Sequence, residues 1–222
     1  MTLRLRPYHH GNLRSELIQA ACTLLETKGL DGLTLRGLAR QAGVSAAAPY
    51  HHFRHRADVI AAVAEAGWQG LGAALADARQ ATQSGTLAAM ASAYVDFAIA
   101  HPALYGVMYL AVRANGESDP EAALGIGVAC NEFRLALLAR EPETHLASAE
   151  GLDVAAMALW SAAHGIAELT AKAPLPFGED GAAGGRRPLA RAILNHPFFG
   201  WNAADLGGRS TGGERDGAIA NP

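Results

Sequence analysis

The stretch TLRGLARQAGVSAAAPYHHF, Thr34 to Phe53, decides how the chain is read, because it holds two helix starts within twelve residues. Thr34 and Ser45 each precede an apolar pattern, and a hydroxyl at that place accepts a backbone N–H left unbonded in the first turn. Leu33 can pack on Leu38 across the Thr34 cap, and Leu35, Leu38, Ala39 and Ala42 form one apolar stripe. Gly43 closes this helix, since glycine reaches the left-handed backbone region that a sharp corner between helices uses. Ala39 is small enough for a second helix to cross closely, and Val44 fills the corner. The spacing predicts a helix-turn-helix.

The second helix opens on Ala46, Ala47 and Ala48 and continues through Pro49, Tyr50, His51 and His52. Small side chains let its backbone approach a flat polyanion, and the aromatic and imidazole groups one turn later reach phosphates or base edges. Pro49 works against a regular start, because it lacks an N–H and disfavours the helical conformation in Ala48.

Composition sets the frame around this stretch. Half of the 222 residues are apolar, 6% are aromatic and 18% are charged, with alanine throughout, which favours closely packed helices and leaves almost no alternating strand pattern. Cys22 and Cys130 lie far apart on apolar helical faces and read as two buried thiols of a reducing compartment. No apolar run follows a basic N-terminus, and no apolar stretch reaches the roughly 18 to 20 residues needed to span a bilayer. The expectation is a cytoplasmic protein without a membrane partner.

The net charge of −3 is unevenly spread: residues 1–60 carry eight Lys and Arg against four Asp and Glu, and the rest carries ten against seventeen. Five of the nine histidines, His9, His10, His51, His52 and His55, sit in the basic part. A basic headpiece on an acidic body is the electrostatic footprint of a polyanion binder. The alternative on charge alone is a solvated face.

Residues 1–10 carry Arg4 and Arg6 without periodicity and read as a flexible basic arm. From Asn12, the positions Leu13, Leu17, Ala20, Ala21, Leu24 and Leu25 recur at helical spacing until Lys28 and Gly29 end the helix. Its role is to support the helix-turn-helix. A long helix begins near Arg56, and an arginine in a first turn opposes the helix dipole, which points to phosphate binding as its use.

The run Tyr8 to Val63 resembles the DNA-binding domain of TetR-family transcriptional regulators: the helix-one leucines, the Thr34 cap, the Ala39–Gly43 turn, then Tyr50, His52 and Phe53 with a basic residue three further on. The resemblance implies an all-α chain with a three-helix headpiece at 11–56, a larger helical effector-binding and dimerisation domain at 57–201, and homodimerisation. It further implies that Thr34, Arg36, Ser45, Ala46, Ala47, Tyr50, His51, His52 and Arg56 face double-stranded operator DNA, with Phe53 in the core. His55 departs from the pattern, standing where the family often has a small capping residue.

Beyond the headpiece, Leu87 to Phe97 and Leu104 to Ala111 form two adjacent helices rich in Met and Tyr, followed by helices from Asp119 or Pro120 to Arg140 and from about Ala147 to Ala171. An apolar body with a few hydroxyls can line a pocket, and equally can be plain core. The run Leu159 to Leu169 with HPALYGVMY resembles the TetR-type C-terminal domain named for a Trp-His-Gly signature, matched by Trp160, His164 and Gly165. The expected effector pocket comprises Met90, Tyr94, Phe97, Tyr105, Met108, Tyr109, Phe133, Trp160 and His164. The last long helix is apolar on nearly every side, so a second copy is expected to cover it through Val128, Leu135, Leu152, Leu159 and Ile166. Leu189 to Leu194 reads as a short helix with Phe198, Phe199 and Trp201 docking back, and residues 202–222 read as a disordered tail.

These features predict a ligand-responsive DNA-binding regulator, a repressor released by an unknown small-molecule effector. The competing expectation is an all-helical enzyme or carrier with an incidental basic headpiece. It lacks a converging catalytic set, a phosphate-cradling glycine loop and a paired-cysteine metal signature, so no cofactor is expected. His51 and His55, one helical turn apart, can share a metal, but Phe53 and Arg56 beside them favour a DNA surface.

Overall fold

The computed structural model describes residues 13–81, 86–115, 120–140, 149–172 and 186–194. The expected arm, the tail, and Phe198, Phe199 and Trp201 lie outside the described residues. Among those described, the chain is all-α: α1 (Leu13–Lys28), α2 (Leu35–Ala42), α3 (Arg56–Ala81), α4 (Thr86–Ala100), α5 (Pro102–Asn115), α6 (Pro120–Arg140), α7 (Ala149–Lys172) and α8 (Arg186–Leu194), with two short 3-10 turns at Leu30–Gly32 and Ala48–His51.

The headpiece follows its caps. The Thr34 side chain accepts the Gly37 N–H at 3.0 Å to start α2, and Gly43, at φ 69°, ends it while Val44 donates its N–H to the Ala39 carbonyl. Leu17, Ala21, Leu24 and Leu25 of α1 close over Leu38 and Phe53, and all are almost fully buried. Burying side chains of this kind stabilises by about 1.5 to 3 kcal/mol each before entropy is counted.

The second helix of the motif is where the structure departs from expectation. Residues after Ser45 form turns and a single 3-10 stretch, not an α-helix. In an α-helix the Ser45 carbonyl would accept the N–H of residue 49, but proline has none. Ser45 instead accepts from Ala48 at 3.0 Å, and the same three-residue spacing repeats from Tyr50 to Ala47 and from His52 to Pro49. Pro49 itself is buried.

α3 is the spine of the molecule, packing on α1, α4, α5 and α6. The sequence expectation about membranes needs correction here. By length and composition α3 is apolar enough to cross a bilayer, although half of its most apolar stretch is buried inside the protein. The central helix of a helical body has this character, because it is covered on several sides. α4 and α5 meet at a bend of 100°. α5 crosses α3 where Gly67 leaves no room: a Cβ there would stand 2.7 Å from the Met108 side chain and 3.1 Å from Leu104. α7 packs on α4, α6 and α8.

Candidate nucleic-acid interface and ligand cluster

All nine residues expected to face DNA, Thr34, Arg36, Ser45, Ala46, Ala47, Tyr50, His51, His52 and Arg56, are solvent-exposed, and Tyr50 keeps 53% of its surface open. A large aromatic left open beside a turn of three alanines is available to a partner. α2 packs on the 3-10 turn that carries Tyr50 and His51, so the two form one unit. Phe53 is buried, with the Arg14 guanidinium 5.7 Å from its ring centroid.

Arg56 has a task that the sequence did not show. Its Nε donates to the Leu33 carbonyl at 2.8 Å, and its Nη2 donates to the Leu30 carbonyl. These are carbonyls of the connection between α1 and α2, so the guanidinium ties the start of α3 to that connection. These two internal acceptors give the first-turn arginine a structural role of its own.

The departure at His55 resolves in the same region. The Asp58 carboxylate in the first turn of α3 accepts the N–H groups of His55 at 2.9 Å and Arg54 at 2.7 Å. It thus supplies from inside the helix the cap that residue 55 does not provide. The His55 N–H bond, more than any other factor, holds the Asp58 carboxyl below the usual carboxylate range.

A second contact joins headpiece to body. Glu26, near the end of α1, accepts the N–H of Leu104 at 2.9 Å and of Ala103 at 3.4 Å. α5 therefore has its first amides capped by a carboxylate from the headpiece, where the helix dipole favours negative charge. His101 precedes α5, and burial lowers its pKa although Glu26 pulls the other way.

One helical turn further along, α5 delivers Tyr105 and Tyr109 into a polar cluster inside the body. The Tyr105 hydroxyl lies 2.6 Å from His164 Nδ1, the Tyr94 hydroxyl 3.3 Å from the same nitrogen, and the Tyr94 and Tyr109 hydroxyls are hydrogen-bonded to each other. The His164 ring lies 4.4 Å from that of Tyr109 and stacks on Trp160 at 5.7 Å. Burial pushes all three tyrosine hydroxyls far above their ordinary range, so they stay neutral. Of the nine expected pocket residues, the structure thus brings together Tyr94, Tyr105, Tyr109, Trp160 and His164. Met90, Met108 and Phe133 are fully buried in the surrounding core, and Phe97 instead packs against His101 at 5.2 Å. Sequence reasoning missed Trp68, which meets Tyr109 in a T-shaped pair at 5.2 Å. On the sequence it is one apolar position of α3 among many, and nothing local marks it.

The expected dimer residues divide. Val128 and Leu135 on α6 are exposed at 43% and 37%, but Leu152 and Ile166 are buried in the chain's own core and Leu159 packs against it. Because α7 is apolar nearly all round, periodicity alone does not fix which side faces inward; Leu152 and Ile166 lie on the side that the neighbouring helices cover. Among the described residues, the large apolar side chains that α7 leaves open are Val154, Met157 and Leu169. The two cysteines carry free thiols and are half-buried, not fully enclosed, and burial first, with Glu26 second, pushes the Cys22 thiol up to about 11. Among the described residues no group of three metal-ligating side chains converges.

A capped helix and an exposed turn on a basic headpiece, joined to a helical body with a buried polar cluster, are the architecture of a helix-turn-helix regulator. Residues 17–63 match the family model described as bacterial regulatory proteins, tetR family, and residues 87–191 match the one described as tetracyclin repressor-like, C-terminal domain. The chain belongs to the TetR family of transcriptional regulators. It is 48% identical over 50 residues to the tetracycline repressor protein class A from transposon 1721 of Escherichia coli, a match spanning 22% of this chain and 23% of that protein. A structure of a protein with unknown function from Rhodococcus sp. RHA1 superposes with a TM-score of 0.65 at 32% identity, covering 88% of this chain and 98% of that one. The TetR-family regulator PfmR from Thermus thermophilus shares the fold at a TM-score of 0.53 and 18% identity, covering 80% of this chain and 94% of its own.

Proposed function

We propose that this chain is a cytoplasmic, dimeric, ligand-responsive repressor. Its headpiece, residues 11–56, reads double-stranded operator DNA, and a small-molecule effector bound in the body, residues 57–201, releases it. The observation that carries the reading is the exposed set around the Thr34 cap, with Arg36 on α2 and Tyr50, His51 and His52 on the turn. Arg36 serves a phosphate, and Tyr50 with the alanines approaches base edges.

The dimer forms through α6 and α7, whose Val128, Leu135, Leu138, Val154, Met157 and Leu169 are exposed. A two-fold dimer presents two reading turns to half-sites about 34 Å apart, so a small rotation of either headpiece breaks the register. The effector site is the cluster of Tyr94, Tyr105, Tyr109, Trp160 and His164. Its occupation reaches the headpiece by two routes: α3, tied to the α1–α2 connection by Arg56, and α5, held to α1 by Glu26. The reading assigns the chain no catalytic step, and Trp160, His164 and Gly165 support membership of the subfamily named for that signature.

Competition binding of the full-length protein to a pool of duplexes tests the assignment. Arg36→Ala lowers affinity on every duplex alike and reduces the salt slope by about 1, whereas Tyr50→Ala changes the order of preference among duplexes. If both variants keep wild-type affinity and preference, the interface lies elsewhere.

A further inference from the structure

We propose that the tyrosine cluster takes an uncharged aromatic molecule bearing a hydrogen-bond-accepting oxygen, such as an aryl ketone or ester. The proposal rests on the reading of this cluster as the effector site. The indole N–H groups of Trp68 and Trp160 are both enclosed without a hydrogen-bond partner, and Trp68 is only 2% exposed. A buried N–H in that condition costs about 1 to 3 kcal/mol, which an acceptor from outside recovers. Of the two, the Trp160 indole approaches the Tyr94 and Tyr109 hydroxyls as a weak donor, so Trp68 is the clearer unmet one. Those hydroxyls are already engaged with each other and with His164 Nδ1.

One link in the cluster is weak. The Tyr94 and Tyr105 hydroxyls stand 3.4 Å apart, whereas an O–H···O bond settles near 2.7 to 2.8 Å, so a ligand oxygen placed there displaces little. The surrounding faces are aromatic: His164 stacks on Trp160, and Tyr105 and Tyr109 have ring centroids 5.0 Å apart. Planar aromatic ligands match such walls, and the buried Met90 and Met108 are unbranched and adaptable enough to make room.

Charge selects against ions. Among the described residues the ring cluster contains no Lys or Arg, and Glu168 is near enough to raise the Tyr105 hydroxyl further, so an anion meets a carboxylate there. A cation leaves both indole N–H groups without an acceptor.

Isothermal titration of the full-length protein with acetophenone, ethylbenzene, benzoate and benzylammonium tests this. Acetophenone is expected to bind about tenfold or more tighter than ethylbenzene, which has its shape without the oxygen, and tighter than either ion. Trp68→Phe and Trp160→Phe keep an aromatic ring and remove the N–H. At least one should bring the acetophenone advantage over ethylbenzene to within about threefold. Equal binding of acetophenone and ethylbenzene, tighter binding of benzoate or benzylammonium, no binding by any of the four, or an advantage that survives in both variants overturns the proposal. DNA release, measured in parallel, separates the two readings. Release by an ion but not by acetophenone removes the ligand class and keeps the effector site; indole-dependent acetophenone binding without release keeps the ligand class and removes the effector role.

Discussion

Arg56→Ala separates an internal tie from a phosphate contact. In the structure Arg56 gives two hydrogen bonds, to the carbonyls of Leu33 and Leu30, bonds that span 23 and 26 residues of sequence. A hydrogen bond from a charged group is worth about 1.5 to 3 kcal/mol when enclosed. Arg56 is exposed, so solvent screening reduces each to about 1 kcal/mol and the pair to about 2 kcal/mol. A chain of this size then loses roughly 4 to 8 °C in Tm, and Arg56→Lys, which offers one point charge in place of a planar fork, recovers only part of it. The assay is thermal unfolding of the full-length protein at fixed concentration, paired with DNA affinity at several salt concentrations. The account predicts a lower Tm with an unchanged slope of log affinity against log salt, because no counterion-releasing contact is removed. Unchanged stability together with a slope reduced by about 1 would falsify the internal role and restore the phosphate contact.

The other predictions follow from the same contacts. Glu26→Ala removes the cap on α5 and should cost about 1 kcal/mol, with faster hydrogen exchange at the Leu104 and Ala103 amides; unaltered exchange there would show that α5 does not lean on the headpiece. The Asp58 carboxyl has a folded pKa below its unfolded one, so its contribution is present above the carboxylate range and is lost as pH falls through the folded value. Asp58→Asn should therefore destabilise at neutral pH, and its gap from wild type in urea unfolding should narrow towards pH 3; a constant gap contradicts the cap. Val154→Asp with Met157→Asp places charges on the open side of α7 and should yield a folded monomer in sedimentation, whereas a dimer unaffected by them assembles through another surface.

The parts of this molecule legible in its sequence are those that local chemistry decides. Thr34, Gly43 and Lys28 mark helix ends where the structure has them, and the alternation of long breaks and apolar stripes places α4 to α7 within a few residues. Pro49 announced a disturbed reading element, but its form, a 3-10 turn, comes from which carbonyl is left to accept which N–H. The pairings that organise the whole were not legible. Arg56 meets Leu30 and Leu33, Glu26 meets Leu104, and Tyr94 meets His164 across 23 to 78 residues of chain, and no periodicity carries such information. α7 shows the limit of pattern reading: with apolar residues on nearly every side, Leu152 and Ile166 looked as fit for an interface as Val154 and Met157, and only the neighbouring helices decide between them.

The central claim is that the exposed turn beside the Thr34 cap reads DNA. Its most direct test is the affinity of the full-length protein for duplexes from the region upstream of its own gene against scrambled duplexes of equal length, across a range of salt. The account predicts a preferred upstream duplex, an affinity that falls linearly on a log–log plot with salt, and loss of the preference in Tyr50→Ala. Equal affinity for upstream and scrambled duplexes, or binding indifferent to salt, would contradict it.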